Sequence, residues 1–222
     1  SIYSSKDDIL PISKYKSYPR LIGETGGKNY HFVHPSMAGS VEYVAGKTFE
    51  SAFGYSGQKC SACSRIYLPE SMLDDFLHYL QKNINRYLQV HRDNYGLIHR
   101  ASWEKSSDLV RKIKKLDTPD TKIVLGGKLE EKNLFMEPTV VVCSDPQSFL
   151  LRDEFFAPLL TIYSYQEDKV QETVDYCRDA TDYALTGAVF SLDGEFLEHF
   201  ENQMKHTCGN YYINDKSTGS VV

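Results

Sequence analysis

Two thiols stand three residues apart in Gly57-Gln58-Lys59-Cys60-Ser61-Ala62-Cys63-Ser64-Arg65, inside a run of small and polar residues. A lysine directly precedes the first of them, and a carboxylate, Glu24, lies upstream between glycines in Gly23-Glu24-Thr25-Gly26-Gly27-Lys28-Asn29. A thiol attacks a carbonyl carbon only as thiolate, so it needs positive charge or backbone N–H groups around it. A carboxylate can then activate the water that releases the thioester. Cys60 and Glu24 are therefore the minimum set for covalent catalysis followed by hydrolysis. The competing reading of Cys60 is a small core residue, since unpaired cysteine is commonly buried. Gly57, Ser61, Ala62 and Ser64 are poor core fillers, and they favour a site.

Cys60-Ser61-Ala62-Cys63 also matches C-x-x-C. A structural zinc site needs a second pair of ligands at similar spacing. Cys143, Cys177 and Cys208 are isolated, and His31 and His34 share one expected strand, so no metal is expected. A thiol redox centre would form a reversible Cys60–Cys63 disulfide, but the short βαβ context of such motifs is missing. An odd total of five cysteines fits free thiols in a reducing compartment.

These residues need a scaffold, and the chain reads as alternating strands and helices. Strands are expected at 31–34, 65–68, 122–125, 139–143, 159–163, 187–190 and 210–214, the middle three as buried strands. A helix is expected from Val41 to Ala52. Another starts at Ser71, as cap with Asp74 three residues on, and carries Leu73, Phe76, Leu77, Leu80, Ile84 and Leu88 on one face. A third, from Ser102 to Leu116, would bury Leu109, Val110, Ile113 and Leu116, with the basic run 111–115 on its wet side. Two shorter helices are expected at 170–177 and 196–204. This alternation predicts an α/β layer fold, a largely parallel sheet flanked by helices.

Composition narrows the partners. The 222 residues carry a net charge of −5, with 41% hydrophobic and 25% charged residues. That balance argues against nucleic acid, and no apolar run is long enough to suggest a membrane span.

The two motifs together resemble the aldehyde dehydrogenase superfamily, as does Asp153-Glu154-Phe155-Phe156-Ala157-Pro158-Leu159. Residues 183–191 and 210–220 are similar to its glutamate-semialdehyde-specific branch, which serves proline breakdown. The resemblance runs from about Tyr15 to the last residue. It implies that Cys60 is the nucleophile, that hydride passes to NAD to leave a thioester, and that Glu24 activates the deacylating water. It further implies an oxyanion contact from the Cys60 N–H, cofactor contacts from Glu154 and Phe156, and a grip on the substrate's carboxylate by Ser61, Gly219 and Ser220. The small-molecule substrate it implies is glutamate semialdehyde. A homo-oligomer of the full-length protein and a mitochondrial matrix location are expected on the same ground.

Three departures stand out. Ala157 replaces the family's glycine, Cys60 follows Glu24 by 36 residues, with the extra residues expected near Ala38–Gly39 on the surface, and 90–93 differs from a family turn. No G-x-G-x-x-G occurs. Residues 1–20 are expected to be the tail of a cofactor-domain helix and linker. Residues 21–222 would be the catalytic domain, ending before an oligomerisation segment, with the NAD-binding domain absent and the isolated piece inactive. The alternative is a catalytically silent domain with a structural or binding role.

Overall fold

A computed structural model describes residues 20–116 and 120–219. Nine strands and six helices occur among them. In chain order they are β1 (Tyr30–Val33), α1 (Val41–Phe53), β2 (Arg65–Pro69), α2 (Leu73–His91), α3 (Arg100–Leu116), β3 (Thr121–Leu125), β4 (Leu129–Glu130), β5 (Phe135–Met136), β6 (Thr139–Cys143), α4 (Phe149–Arg152), β7 (Leu159–Tyr165), α5 (Val170–Asp179), β8 (Ala184–Phe190), α6 (Gly194–Met204) and β9 (Cys208–Ile213). Seven strands form one sheet in the order β3-β6-β7-β2-β1-β8-β9; β4 and β5 make a separate hairpin. All pairs in the large sheet are parallel except β3–β6.

The sheet is covered on both faces, which is why its central strands read as near-continuous apolar runs. Val33, Ile66, Leu68, Leu160, Ile162 and Phe190 point to one face, where they meet Val44 and Phe53 of α1 and Phe76, Leu80 and Ile84 of α2. Phe32, Tyr67 and Val189 point to the other, against Val174 of α5 and Phe200 and Met204 of α6. Val141 and Leu159 face away from the α1–α2 side and pack with Trp103, Val110 and Ile113 of α3.

The expected α/β layering and the expected helices are found, with local differences. Met72, not Ser71, precedes α2, and it offers no side-chain cap. Pro69 ends β2 and a tight turn uses up Glu70–Met72 first, so the Ser71 N–H donates to Glu167 Oε1 instead (3.2 Å). Leu116 is exposed rather than buried: it is the last residue of α3, beyond Ile113, the last position the helix buries. Lys122–Leu125 lies on the sheet's edge, not in its middle, and is only half-covered. Ala38 and Gly39 sit in an exposed turn between β1 and α1.

Candidate active site

The segments that precede β1, β2, β7 and β8 converge at the amino ends of these four adjacent strands. The Glu24–Asn29 turn leads into β1, the thiol loop into β2, and residues 153–158 into β7. Parallel neighbours place their starts side by side, so sequence separation between the motifs disappears. Thr25–Lys28, Arg152, Glu154 and Thr181–Tyr183 line a cleft of about 280 Å³ there. A larger groove of about 720 Å³ runs along α2 past Leu77, Gln81 and Arg86, and none of the residues lining it belongs to the thiol motif.

Asn29 organises the thiol loop. Its Nδ2 donates to the carbonyls of Cys60 (2.7 Å) and Ala62 (2.8 Å), and its Oδ1 accepts from Thr186 N (2.9 Å). Thr186 Oγ1 in turn donates to the Ser61 carbonyl (3.0 Å). One buried amide therefore fixes the loop between β1 and β8. Arg65, fully buried, donates through Nε to the Lys28 carbonyl (3.2 Å) and through Nη1 to Tyr67 Oη (2.9 Å). Gly57 closes the loop on the 153–158 segment. Its φ is +67°, and a Cβ there would lie 2.3 Å from the Ala157 carbonyl oxygen, so only glycine fits.

Within that frame Cys60 is exposed and Cys63 is buried. The Cys63 Sγ donates to the Arg65 carbonyl (3.3 Å), and burial pushes its thiol up to about 12, so it is a packed structural thiol. Glu24 stands near enough to Cys60 to act on its thiol. Burial raises the Cys60 thiol above its ordinary value first, and the Glu24 carboxylate adds to this as acceptor and as charge. The N–H groups of Cys60 and Ser61 act in the opposite direction. Lys59, which precedes the thiol, is not among these influences. Its Nζ lies over Gly54, 3.4 Å from where a Cβ would sit there. The electropositive setting expected around Cys60 is thus replaced by a thiol paired with a carboxylate. Glu24→Gln removes that charge, and it is expected to make Cys60 alkylate several-fold faster with iodoacetamide near pH 8. An unchanged rate-against-pH curve would contradict the pairing.

Glu154 is half-buried and bonded by the Gly27 N–H. Its Oε2 occupies the space of a Gly26 side chain: a Cβ there would be 2.5 Å away, and Gly26 has φ +142°. Burial raises its carboxyl, opposed by the Gly27 N–H and then by Lys28. Phe156 is 46% exposed at a left-handed φ of +53°, a strained conformation for a ring-bearing residue. The extra methyl of Ala157 packs into the apolar cluster with Trp103 and Leu159. Ser61 is buried, and a Cβ on Gly219 would approach its Oγ to 3.8 Å, so these two predicted residues adjoin. Ser220 lies outside the described residues.

Lys28 was not singled out from sequence. It is 1% exposed, its Nζ has no hydrogen-bond partner among the described residues, and it stands 4.5 Å over the Phe155 ring. Burial, reinforced by the Arg65 charge, holds its ammonium down to about 7. Asn29 and Lys28 both belong to the Glu24 motif. An amide and an amine opening a central strand were the available signal, since such groups need partners once buried.

The sequence profile described as "Aldehyde dehydrogenase family" matches residues 7–222. The chain is 38% identical over 227 residues to the mitochondrial delta-1-pyrroline-5-carboxylate dehydrogenase of Dictyostelium discoideum, covering all of this chain and 40% of that protein. It is 40% identical over 219 residues to the human protein of that name, covering 95% of this chain and 38% of the relative. The crystal structure of the Mycobacterium tuberculosis delta-pyrroline-5-carboxylate dehydrogenase bound with NAD superposes with a TM-score of 0.80 at 29% identity, over 95% of this chain and 38% of that one. The chain thus spans about two fifths of the length of the relatives it matches. With its parallel sheet, its thiol loop and a profile match over nearly its whole length, the chain belongs to the aldehyde dehydrogenase family.

Proposed function

We propose that the full polypeptide bearing this chain is an NAD-dependent dehydrogenase of proline degradation. It oxidises L-glutamate γ-semialdehyde, formed by opening of 1-pyrroline-5-carboxylate, to L-glutamate, and residues 21–222 are its catalytic domain. One observation carries the reading: an exposed thiol, Cys60, has the carboxylate of Glu24 near enough to act on it, with Ser61 and Gly219 adjoining the same loop. Relatives named for this chemistry, two of them called mitochondrial, support both the substrate and a mitochondrial location.

The residues divide the work as follows. Glu24 takes the Cys60 proton, and the sulfur bonds to the aldehyde carbon. The oxygen becomes an oxyanion beside the Cys60 N–H, which interacts more strongly with that charge than with a ground-state carbonyl. Bound NAD supplies the acceptor for the hydride that leaves this carbon. Glu24 releases that proton to solvent and then draws one from water, whose oxygen attacks the thioester; the departing Cys60 sulfur takes this second proton back from Glu24 as the acid leaves. Ser61 and Gly219, with Ser220, hold the far carboxylate by hydroxyl and backbone N–H groups, which add no charge beside the nucleophile.

The residues present fit one end of the cofactor. Glu154 offers fixed carboxylate oxygens suited to a ribose diol, and Phe156 offers an exposed aromatic face. By the same reading the 222 residues alone have no measurable turnover, and the full protein assembles as a homo-oligomer. The full polypeptide is expected to form NADH and L-glutamate from the semialdehyde. Absence of L-glutamate formation from that substrate would overturn the assignment.

A further inference from the structure

His31 is a fully buried imidazole in the middle of β1, and the reaction as derived above does not use it. Its hydrogen bonds define a continuous chain. The Ser217 backbone N–H donates to His31 Nε2 (3.2 Å), so Nε2 is an acceptor. The proton therefore sits on Nδ1, which donates to Thr48 Oγ1 (3.0 Å). On the other side of Ser217, Ser51 Oγ donates to its carbonyl (2.7 Å) and accepts from the Cys63 N–H (3.0 Å). Ser217 Oγ also lies 3.1 Å from His31 Nε2 and 3.0 Å from Ser51 Oγ. Thr48, Ser51, Cys63 and Ser217 are all at most 5% exposed. Burial holds the imidazole neutral, well below its usual range, at about 3.

The chain ends at two functional places. Cys63 closes the loop that begins with Cys60, and Gly219 lies two residues beyond Ser217, against Ser61. Other contacts hold the same segment along α1: Tyr43 Oη to the Asn214 carbonyl (2.9 Å), Lys47 to Asp215 (2.7 Å) and Lys216 to Glu50 (2.6 Å). Those contacts are solvent-accessible and contribute little. The buried links are costly to break, because each lost partner leaves a desolvated polar group.

We propose that the buried Thr48–His31–Ser217–Ser51–Cys63 chain is a positioning network that sets residues 217–219 against the thiol loop and so determines the preference for an aldehyde bearing a distal carboxylate. The carboxylate class rests on the dehydrogenase reading above; the geometry of the network does not. Thr48 is the informative position, since it touches neither thiol nor substrate segment. Without its acceptor the proton moves to Nε2, which can then no longer accept from Ser217, and the segment loosens.

The test uses Thr48→Val, which keeps shape, and Thr48→Ser, which restores the hydroxyl, in the full polypeptide. With glutamate semialdehyde, kcat/KM is expected to fall roughly ten-fold in Thr48→Val, chiefly through KM. With propanal, which has no carboxylate, it is expected to stay within about two-fold. Thr48→Ser is expected to recover the preference. Nitrogen chemical shifts of His31 should report an Nδ1–H tautomer in wild type and an Nε2–H tautomer in Thr48→Val. Unchanged preference in Thr48→Val overturns the proposal, as does equal loss with both aldehydes or an Nε2–H tautomer in wild type. A wild-type protein that turns over neither aldehyde overturns the dehydrogenase reading instead, and with it the carboxylate preference, whatever tautomer His31 shows.

Discussion

Cys60→Ala in the full polypeptide is expected to reduce aldehyde oxidation to the detection limit, a loss of at least about 10³-fold. The size follows from what surrounds the position. No second thiol can substitute: Cys63 is buried, its Sγ is committed to the Arg65 carbonyl, and its proton is held up to about 12. Ser61 is buried, and in the reading above it holds the far carboxylate, not the reacting carbon. A water activated by Glu24 cannot stand in, because oxidation without a bound sulfur would have to proceed through the free hydrate. Mass spectrometry provides the companion measurement. The Cys60-containing peptide should carry the acyl group in quenched wild-type turnover, and Glu24→Gln should increase that acylated fraction. Appreciable turnover by Cys60→Ala would end the nucleophile assignment.

The second large effect concerns stability. Lys28→Met is expected to stabilise the protein by a few kcal/mol near neutral pH, because the wild type buries an ammonium with no hydrogen-bond partner among the described residues. The amine's value drops from the ordinary 10.5 to about 7 on folding. At about 1.4 kcal/mol per pH unit, that bounds the cost of the charge at roughly 5 kcal/mol. The sign follows from proton binding. Between about 7 and 10.5 the unfolded chain holds a proton on Lys28 that the folded chain has lost, so wild-type stability gained from this group rises with pH. Below about 7 both forms are protonated and the full cost is present; above 10.5 it has vanished. Methionine removes the charge and keeps an unbranched stem against Phe155. Urea unfolding of both proteins near pH 6 and near pH 10 should therefore show a wide gap that narrows. An equal gap at both values would refute the account.

The scaffold was readable where side-chain period and burial agree. The α2 stripe of Phe76, Leu80 and Ile84 and the runs in β6 and β7 announced themselves, because each element buries a whole face. The β4–β5 hairpin and α4, two and four residues per element, are too short to carry a period. The edge position of β3 depends on a pairing that its own residues do not encode. For the site, Cys60 and Glu24 were recognisable by type and by resemblance, but their meeting is a product of sheet order: β1 and β2 are parallel neighbours, so their leading segments touch. Lys28 and Asn29 read only as letters of the Glu24 motif, and His31 only as a strand histidine lacking a metal-binding partner. The partners of Asn29 and His31 lie up to 186 residues away, beyond the reach of any local pattern.

The placement of the site at the amino ends of β1, β2, β7 and β8 has an electrostatic corollary. In each β–α–β step the helix runs back, so α1, α4, α5 and α6 all end toward this side of the sheet. Helix ends of this polarity present carbonyl oxygens and partial negative charge. Phosphate groups are cradled by the opposite polarity, the N–H-rich starts of helices. This end of the molecule is thus suited to keeping Cys60 protonated until an aldehyde arrives, and to accepting hydroxyls at Glu154. The pyrophosphate of a dinucleotide needs a different cradle, with helix starts turned toward it.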